Sequence, residues 1–580
     1  MKTASRRSGA RGFTHQRNLK AMLTPRTIAL KLEYHLFKKD RALLGGLVPA
    51  SVQARLRRRA RAKYLLWDAR KYNEWLQGHL QERRRKYQHA VEPGLLSVVT
   101  PVWDGTPLHY LRALAESIIA QNQSGGAEWV VVSNGVQKKE LLAYFETLQR
   151  HAWVKVHASR ENTGIIGGMR LCLERATGRY ILPVDSDDWL YPDCLQVVTW
   201  WIHETNFPPL LYTDEDKLIG DRAVQPYLKP SFDPVLLLNS AYIAHLGVID
   251  RKLALELGAY SDKRTEGSPD WDLFLRFLAA GHSAVHIPEV VYSWRMHPES
   301  TADDALSKPY IHDSQKVVLQ RYLDSTGAAQ DCTVEYSPVL NRTADWWLQP
   351  RADQTQPWPV VTLPLSTQTS VASLMESMER SLNGQEGVVC LVADDMQIDR
   401  PDYFQDAMAL MKRHQDTVMI GGPIRDSNGV IQSAGCVLGF EGDCGCPDRG
   451  RPVVDPGFFT QLKKQRSVSA VSSQFAVVRA SFLRDLYRSG GANHASVAFL
   501  GAWAGAYALR TPKRVIYSPF LSAVSSVDWD ALAMPEERAR FRESNRDILP
   551  DQRFYSRYFG LTKESAYQPG SQPASQYGAK

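Results

Sequence analysis

From Leu95 onward, short apolar runs alternate with stretches of helical spacing. Leu95–Thr100 (LLSVVT) predicts a strand, and Leu108, Leu111, Leu114 and Ile118 predict a helix over 107–121. Trp129–Ser133, Val154–Ser159 and Tyr180–Val184 read as further strands, with helices over 138–150 and 165–176 between them. Continuous apolar strands alternating with amphipathic helices predict an α/β domain with a mostly parallel, Rossmann-like sheet covered on both faces. Ligands in such sheets bind beyond the carboxyl ends of the strands, so the segments after Thr100, Val132 and Val184 are the candidate site. Pro183 lacks the N–H that a strand ladder uses.

The pattern differs on either side. Between Val52 and Tyr87, Leu56, Tyr64, Trp67, Tyr72, Trp75 and Leu80 recur at helical intervals among the basic clusters Arg57–Arg59 and Arg83–Lys86. A second α/β stretch begins near Pro359 and runs through VVCLVA at 388–393. Its end echoes the first: PVDSDDWLYPD at 183–193 parallels LVADDMQIDRP at 391–401. The expected division is a basic helical arm over 1–92, a catalytic domain over 93–325 and a linker over 326–358. A second, degenerate domain follows over 359–562, and a disordered tail over 563–580.

The chain has 580 residues, 44% hydrophobic and 23% charged, an ordinary globular balance. No run approaches the ~18–20 apolar residues of a membrane-spanning helix. The first twenty residues lack the apolar core of a signal peptide. The net charge of +8 conceals an asymmetry: residues 1–90 hold 23 Lys+Arg against 5 Asp+Glu, which leaves the remainder 10 negative. Such an arm either packs its aromatics on the body as a solvated helix or adheres to an anionic membrane surface. No nucleic-acid-binding motif accompanies it. Seven scattered cysteines fit a reducing compartment, and Cys436, Cys444 and Cys446 lack a fourth ligand at zinc-like spacing.

Four clusters could carry chemistry. Asp185, Asp187 and Asp188 would repel one another unless a cation or solvent relieves them, and hard cations such as Mg²⁺ or Mn²⁺ bridge carboxylates to diphosphates. The alternative is a solvated acidic turn. In SPDWDLFLR (268–276), Ser268 and Pro269 start a helix, and Asp270 or Asp272 is either a general base or a complement to the helix dipole. In YSWRMHPES (292–300), Arg295 can clamp phosphate and His297 can ligate metal. In YTDEDK (212–217), Asp214 and Glu215 either form a solvated loop or line an acceptor's hydroxyls. Trp103, Trp189, Trp271 and Trp294 neighbour these clusters as sugar-facing or core aromatics.

Taken together, LLSVVTPVWDGTPLHYLRALAESIIAQ, ENTGIIGGMRLCLERATGRYILPVDSDDWLYPD, YTDEDK, PDWDLFLR and YSWRMHPES resemble the family 2 glycosyltransferases. These are inverting enzymes with the GT-A fold, and the resemblance is to the branch that builds bacterial surface polysaccharides such as O-antigen. The resemblance implies a nucleotide-sugar pocket of Thr100, Pro101, Trp103, Ser133, Asn134, Asn162, Asp185 and Arg295. It implies a divalent metal (Mn²⁺ or Mg²⁺) on Asp185, Asp187 and His297, and acceptor contacts at Asp214, Glu215 and Trp271. Asp270 would be the catalytic base. The partners implied are a nucleotide-diphosphate sugar and a glycan or lipid-linked glycan, with no nucleic acid. The expected location is the cytoplasm, peripheral to the cell membrane. Ser133-Asn134-Gly135 stands where the family commonly has acidic residues, and Arg170 where it has Asn. The second half resembles the family less: HASVAFLGAWAGAYALR (494–510) holds no carboxylate where the base helix should begin. The competing expectation is a non-catalytic carbohydrate-binding scaffold of transferase-like domains.

Overall fold

The computed structural model describes residues 69–296, 310–339, 346–351 and 358–568. Its first half is a nine-stranded sheet in the order β3-β2-β1-β4-β8-β6-β9-β5, with β7 on β6. The strands are β1 (Leu96–Val102), β2 (Glu128–Asn134), β3 (Val154–Ser159), β4 (Tyr180–Pro183), β5 (Trp189–Leu190), β6 (Leu210–Ile219), β7 (Arg222–Tyr227), β8 (Gly247–Asp250) and β9 (Val285–Arg295). β3, β2, β1 and β4 are mutually parallel. β8 is antiparallel to both its neighbours, and β6 is again parallel to β9. Pro183 costs the ladder nothing: it pairs with Val99 of β1, and β8 has already run out after Ile181.

Period-two alternation divides the core. Val98 and Val102 face the helices Leu108–Gln121, Lys139–Leu148 and Cys194–Glu204, together with Trp129 and Val131. Val99, Val130 and Val132 face Gly164–Arg175, Pro269–Ala279 and Tyr310–Thr326 on the other side. The predicted helix boundaries therefore follow the residues that these two cores bury.

The described part of the basic arm is one helix, Ala69–Lys86, and it is fastened to the sheet. Its Tyr72 hydroxyl donates to Asp216 at 2.7 Å, and His79 Nε2 lies 2.6 Å from Glu289. Arg83, expected on a basic surface, is 1% exposed and grips Asp193 through Nε and Nη2 at 2.8 and 2.6 Å. Arg84, Arg85 and Lys86 are exposed. The basic residues before Ala69 lie outside the described residues.

The second sheet repeats a subset of the first. Its six strands run Val360–Leu365, Val388–Ala393, Phe475–Arg479, Thr417–Gly421, Arg514–Tyr517 and Arg466–Val468 in spatial order. The first five match β1, β4, β8, β6 and β9 in chain order, spatial order and orientation: parallel, antiparallel, antiparallel, parallel. Strands equivalent to β2 and β3 are absent among the described residues. The two halves touch directly, with Asp233 accepting from the backbone N and the hydroxyl of Ser467, both at 2.7 Å.

Candidate active site

The acidic cluster lies at the carboxyl end of β4. Val184 N extends the ladder onto Val99 O, and Asp188 N closes a turn onto Asp185 O at 3.2 Å. Ser186 Oγ meets Thr106 Oγ1 at 2.9 Å, tying this turn to the loop after β1. The three acids differ. Asp188 is 1% exposed and accepts from the Tyr292 hydroxyl and from Arg295 N, so it clamps the turn to the end of β9. Burial, with Asp185 and Asp187 close by, pushes its carboxyl well above the usual range. Asp185 reaches solvent at the cleft mouth, yet the protein around it pushes its carboxyl up to about 6; His245 opposes the shift, and Asp187 and Asp270 add to it.

Asp270, in the first turn of Pro269–Ala279, comes near enough to Asp185 and His245 to interact electrostatically with both. It is half-buried, accepts from the Tyr260 hydroxyl at 3.2 Å, and is raised by burial, with His245 and Tyr260 opposing. The helix spacing left Asp270 and Asp272 as alternatives, and the structure separates them. Asp272 is 2% exposed and taken by Arg276 and Arg321, so it holds helices together.

His245 was given no role by the sequence reading, and it stands between these acids. Its ring stacks on Tyr292 at 5.2 Å, and its Nδ1 lies 3.6 Å from Glu215 Oε2. Burial would lower it, but Glu215, then Asp185 and Asp270, outweigh burial and push the imidazole up to about 10, favouring its charged form. Buried Lys229 supports it from behind, bonding Ile243 O at 3.0 Å and His245 O at 2.5 Å. The only sequence cue was a lone histidine inside the apolar run AYIAHLGVID; nothing marked Tyr260.

Other expected contacts are corrected. Thr100 is fully buried on the core face of β1, its Oγ1 accepting from Trp129 Nε1, so it does not line a nucleotide pocket. Trp271 is 2% exposed and donates to Leu237 O, which closes it to an acceptor. Asp214 is fully buried between Lys229 N and His286, and Glu215 faces His245 instead of solvent. Pro101 and Ser133 are buried, and Trp103 is 54% exposed at the mouth. Asn134 braces the next loop by bonding Asn162, Thr163 and Gly164. Gly135 is required there: φ is +68°, and a Cβ would lie 2.3 Å from Asn162 N. Arg295 donates from Nε to Asp187 O at 2.7 Å and covers the Tyr110 ring.

Asp185 and Asp187 offer two carboxylates, as many as a hydrated Mg²⁺ or Mn²⁺ takes from protein when substrate phosphates complete its shell, so the donor set suits such an ion. His297 lies outside the described residues. Among the described residues no group of three or more His, Cys, Asp or Glu forms a metal cage.

Residues 97–207 match the family model described as Glycosyl transferase family 2. The chain is 27% identical over 547 residues to the uncharacterized protein y4gI of Sinorhizobium fredii, covering 81% of this chain and 57% of that protein. It is 28% identical over 204 residues to the O-antigen biosynthesis protein RfbC of Myxococcus xanthus, covering 35% of this chain and 16% of that protein. The chain thus spans less than two thirds of these curated relatives. A crystal structure of S. aureus TarS 1-349 in complex with UDP-GlcNAc aligns at 17% identity and a TM-score of 0.33, covering 41% of this chain and 72% of that one. Over residues 97–207 the chain is therefore similar to glycosyl transferase family 2.

Proposed function

We propose that this chain is an inverting glycosyltransferase. It moves a sugar from a nucleotide-diphosphate donor to a hydroxyl of a growing, lipid-linked cell-surface glycan. The observation that supports the reading is that Asp185 and Asp270, from separate elements, come near enough to His245 and to each other to interact electrostatically. An alcohol is a weak nucleophile, and a carboxylate raised by burial is suited to take its proton as the bond to the anomeric carbon forms. Asp270 is that base, and Tyr260 orients it. His245 supplies a fixed positive charge beside the acids, where diphosphate charge develops. Asp185 and Asp187 would hold the divalent ion, which when bound neutralises the leaving diphosphate. Arg295 keeps the acidic turn in place. The likeness to an O-antigen biosynthesis protein supports a surface polysaccharide as product.

In this reading residues 93–325 form the catalytic unit and 359–562 a degenerate one. The exposed Arg84–Lys86 and the basic residues before them hold the enzyme at the inner face of the membrane. No described helix is long and apolar enough to cross a membrane. The test is Asp270→Asn, assayed for transfer with Mn²⁺ and for nucleotide-sugar binding by thermal shift. Transfer is expected to fall ~10²–10⁴-fold with binding retained. Unchanged turnover would remove Asp270 from the mechanism, and absence of nucleotide-sugar binding by the unmodified chain would favour a non-catalytic scaffold.

A further inference from the structure

The loop that leads into the Asp270 helix is tied, through one side chain, to the turn that follows β3. That side chain is Glu266, half-buried and four residues before Asp270. Its Oε1 accepts from Ile165 N at 2.7 Å and its Oε2 from Ile166 N at 3.3 Å, in the first turn of the helix Gly164–Arg175. N–H groups at that position have no partner within their own helix, and a carboxylate is favoured there. Gly164 leaves room for the approach: its φ is +75°, and a Cβ would lie 2.9 Å from Glu266 Oε1.

The same turn is held from β2. Asn134, the last residue of that strand, accepts from Thr163 N through Oδ1 and donates from Nδ2 to Gly164 O, both at 2.9 Å. Asn162 Oδ1 accepts from Gly164 N at 2.9 Å. A continuous set of bonds therefore runs from the end of β2, through residues 162–164, to Glu266. These segments lie beyond the carboxyl ends of β2 and β3, where such sheets hold their ligands.

Other bonds to the loop come from the helix Tyr310–Thr326. Ser314 Oγ donates to Ser268 Oγ at 3.0 Å, and Arg321 takes Asp262 and Asp272. Glu266 supplies the pull towards the turn after β3. Asp270 depends on that balance, because its bond from the Tyr260 hydroxyl, at 3.2 Å, is long for an O–H donor. The place of its carboxylate then follows the backbone of the helix start.

We propose that Glu266 is a positioning residue for sugar transfer. By fastening the Asp270 loop to residues 162–164, it sets the distance between the base and a donor bound beyond β2 and β3. The inference rests on the transferase reading and on Asp270 as the base. A misplacement of about 1 Å can cost ~10²-fold in rate.

The test uses the full chain with Mn²⁺, a panel of UDP-, GDP- and dTDP-sugars, and a bacterial lipid extract as acceptor. Release of nucleoside diphosphate is compared for Glu266→Ala, Glu266→Gln, Asp270→Asn and the double variant Glu266→Ala with Asp270→Asn. Glu266→Ala is expected to lower kcat ~10²-fold while KM for the donor stays within about threefold. Glu266→Gln, which keeps one acceptor oxygen, should fall between. In the Asp270→Asn background Glu266→Ala should cost nothing further, because it acts through the base. Hydrogen exchange followed by mass spectrometry should rise over 165–166 and 263–270 in Glu266→Ala and stay unchanged in β1 and β4. Equal losses with and without the Asp270 carboxylate would make Glu266 a scaffold residue and overturn the proposal. Unchanged exchange over 263–270 would overturn it as well. Failure of the underlying reading has its own signature: Asp270→Asn keeps full transfer, or the unmodified chain neither binds nor turns over any sugar of the panel. Either result removes the role of Glu266 together with that reading.

Discussion

Arg83 carries a charge into a place from which water is excluded, and it does so only because Asp193 meets it with two oxygens and Val290 O accepts a third bond. Removing one partner of such a pair strands the other. Arg83→Ala is expected to cost ~3–5 kcal/mol in urea unfolding, whereas Arg84→Ala, on the exposed face, should stay within ~0.5 kcal/mol. Equal effects would show that the helix is not held by this pair. The sequence could not distinguish these neighbours. Both are arginines in one basic run, and only the distant Asp193 selects which is buried. The same limit applied to the acids. Asp185, Asp187, Asp188 and Asp270 were legible as a group because they cluster at a strand end and a helix start. Which of them clamps the turn and which lines the cleft depends on Tyr292, Arg295 and Tyr260. His245 was missed because Glu215, Asp185 and Asp270, which favour its charged form, meet it only after folding.

At the scale of elements, the Ala69–Lys86 helix, the Tyr555–Phe559 segment and β9 meet on Glu289, which accepts from Tyr87 at 2.8 Å and faces His79 and Arg557. Burial alone would raise this carboxyl, but His79, then Arg557 and Arg83, outweigh burial and hold it at about 2. An unfolded glutamate titrates near ~4.3. The folded value is depressed, so the contribution to stability is complete above that pH and is lost as pH falls towards 2. Glu289→Gln should therefore destabilise the protein at pH 7, and the deficit should shrink between about pH 4.5 and 2 when the two proteins are compared in urea. A deficit independent of pH would assign the effect to packing alone. In the first sheet β1 to β4 and the helices between them were readable from short apolar runs and helical stripes, whereas β6, whose YTDEDK reads as a solvated loop or an acceptor lining, is a mostly buried strand. The docking of the arm helix was not readable, because its anchors are polar and their partners lie more than a hundred residues away.

At the scale of the whole molecule, the described residues form one sheet that includes β2 and β3 and one that lacks their equivalents. A single nucleotide-sugar site per chain is expected by isothermal titration calorimetry, since the strands that would form a second are absent among the described residues. Two equivalent sites would contradict this. The repeated DD motif hinted at the duplication, but the match of five strands in order and direction is a property of pairing, and pairing is not written in any local stretch. The arm helix sets a boundary of its own. Cutting the chain at residue 90 to remove the basic segment would leave Asp193, Asp216 and Glu289 without Arg83, Tyr72 and His79, and would damage the first sheet along with any membrane contact. A shortened protein intended to isolate the role of the basic segment should keep Ala69–Lys86 and end its deletion before Ala69; only then can a loss of vesicle binding be separated from a collapse of the scaffold behind the acidic turn.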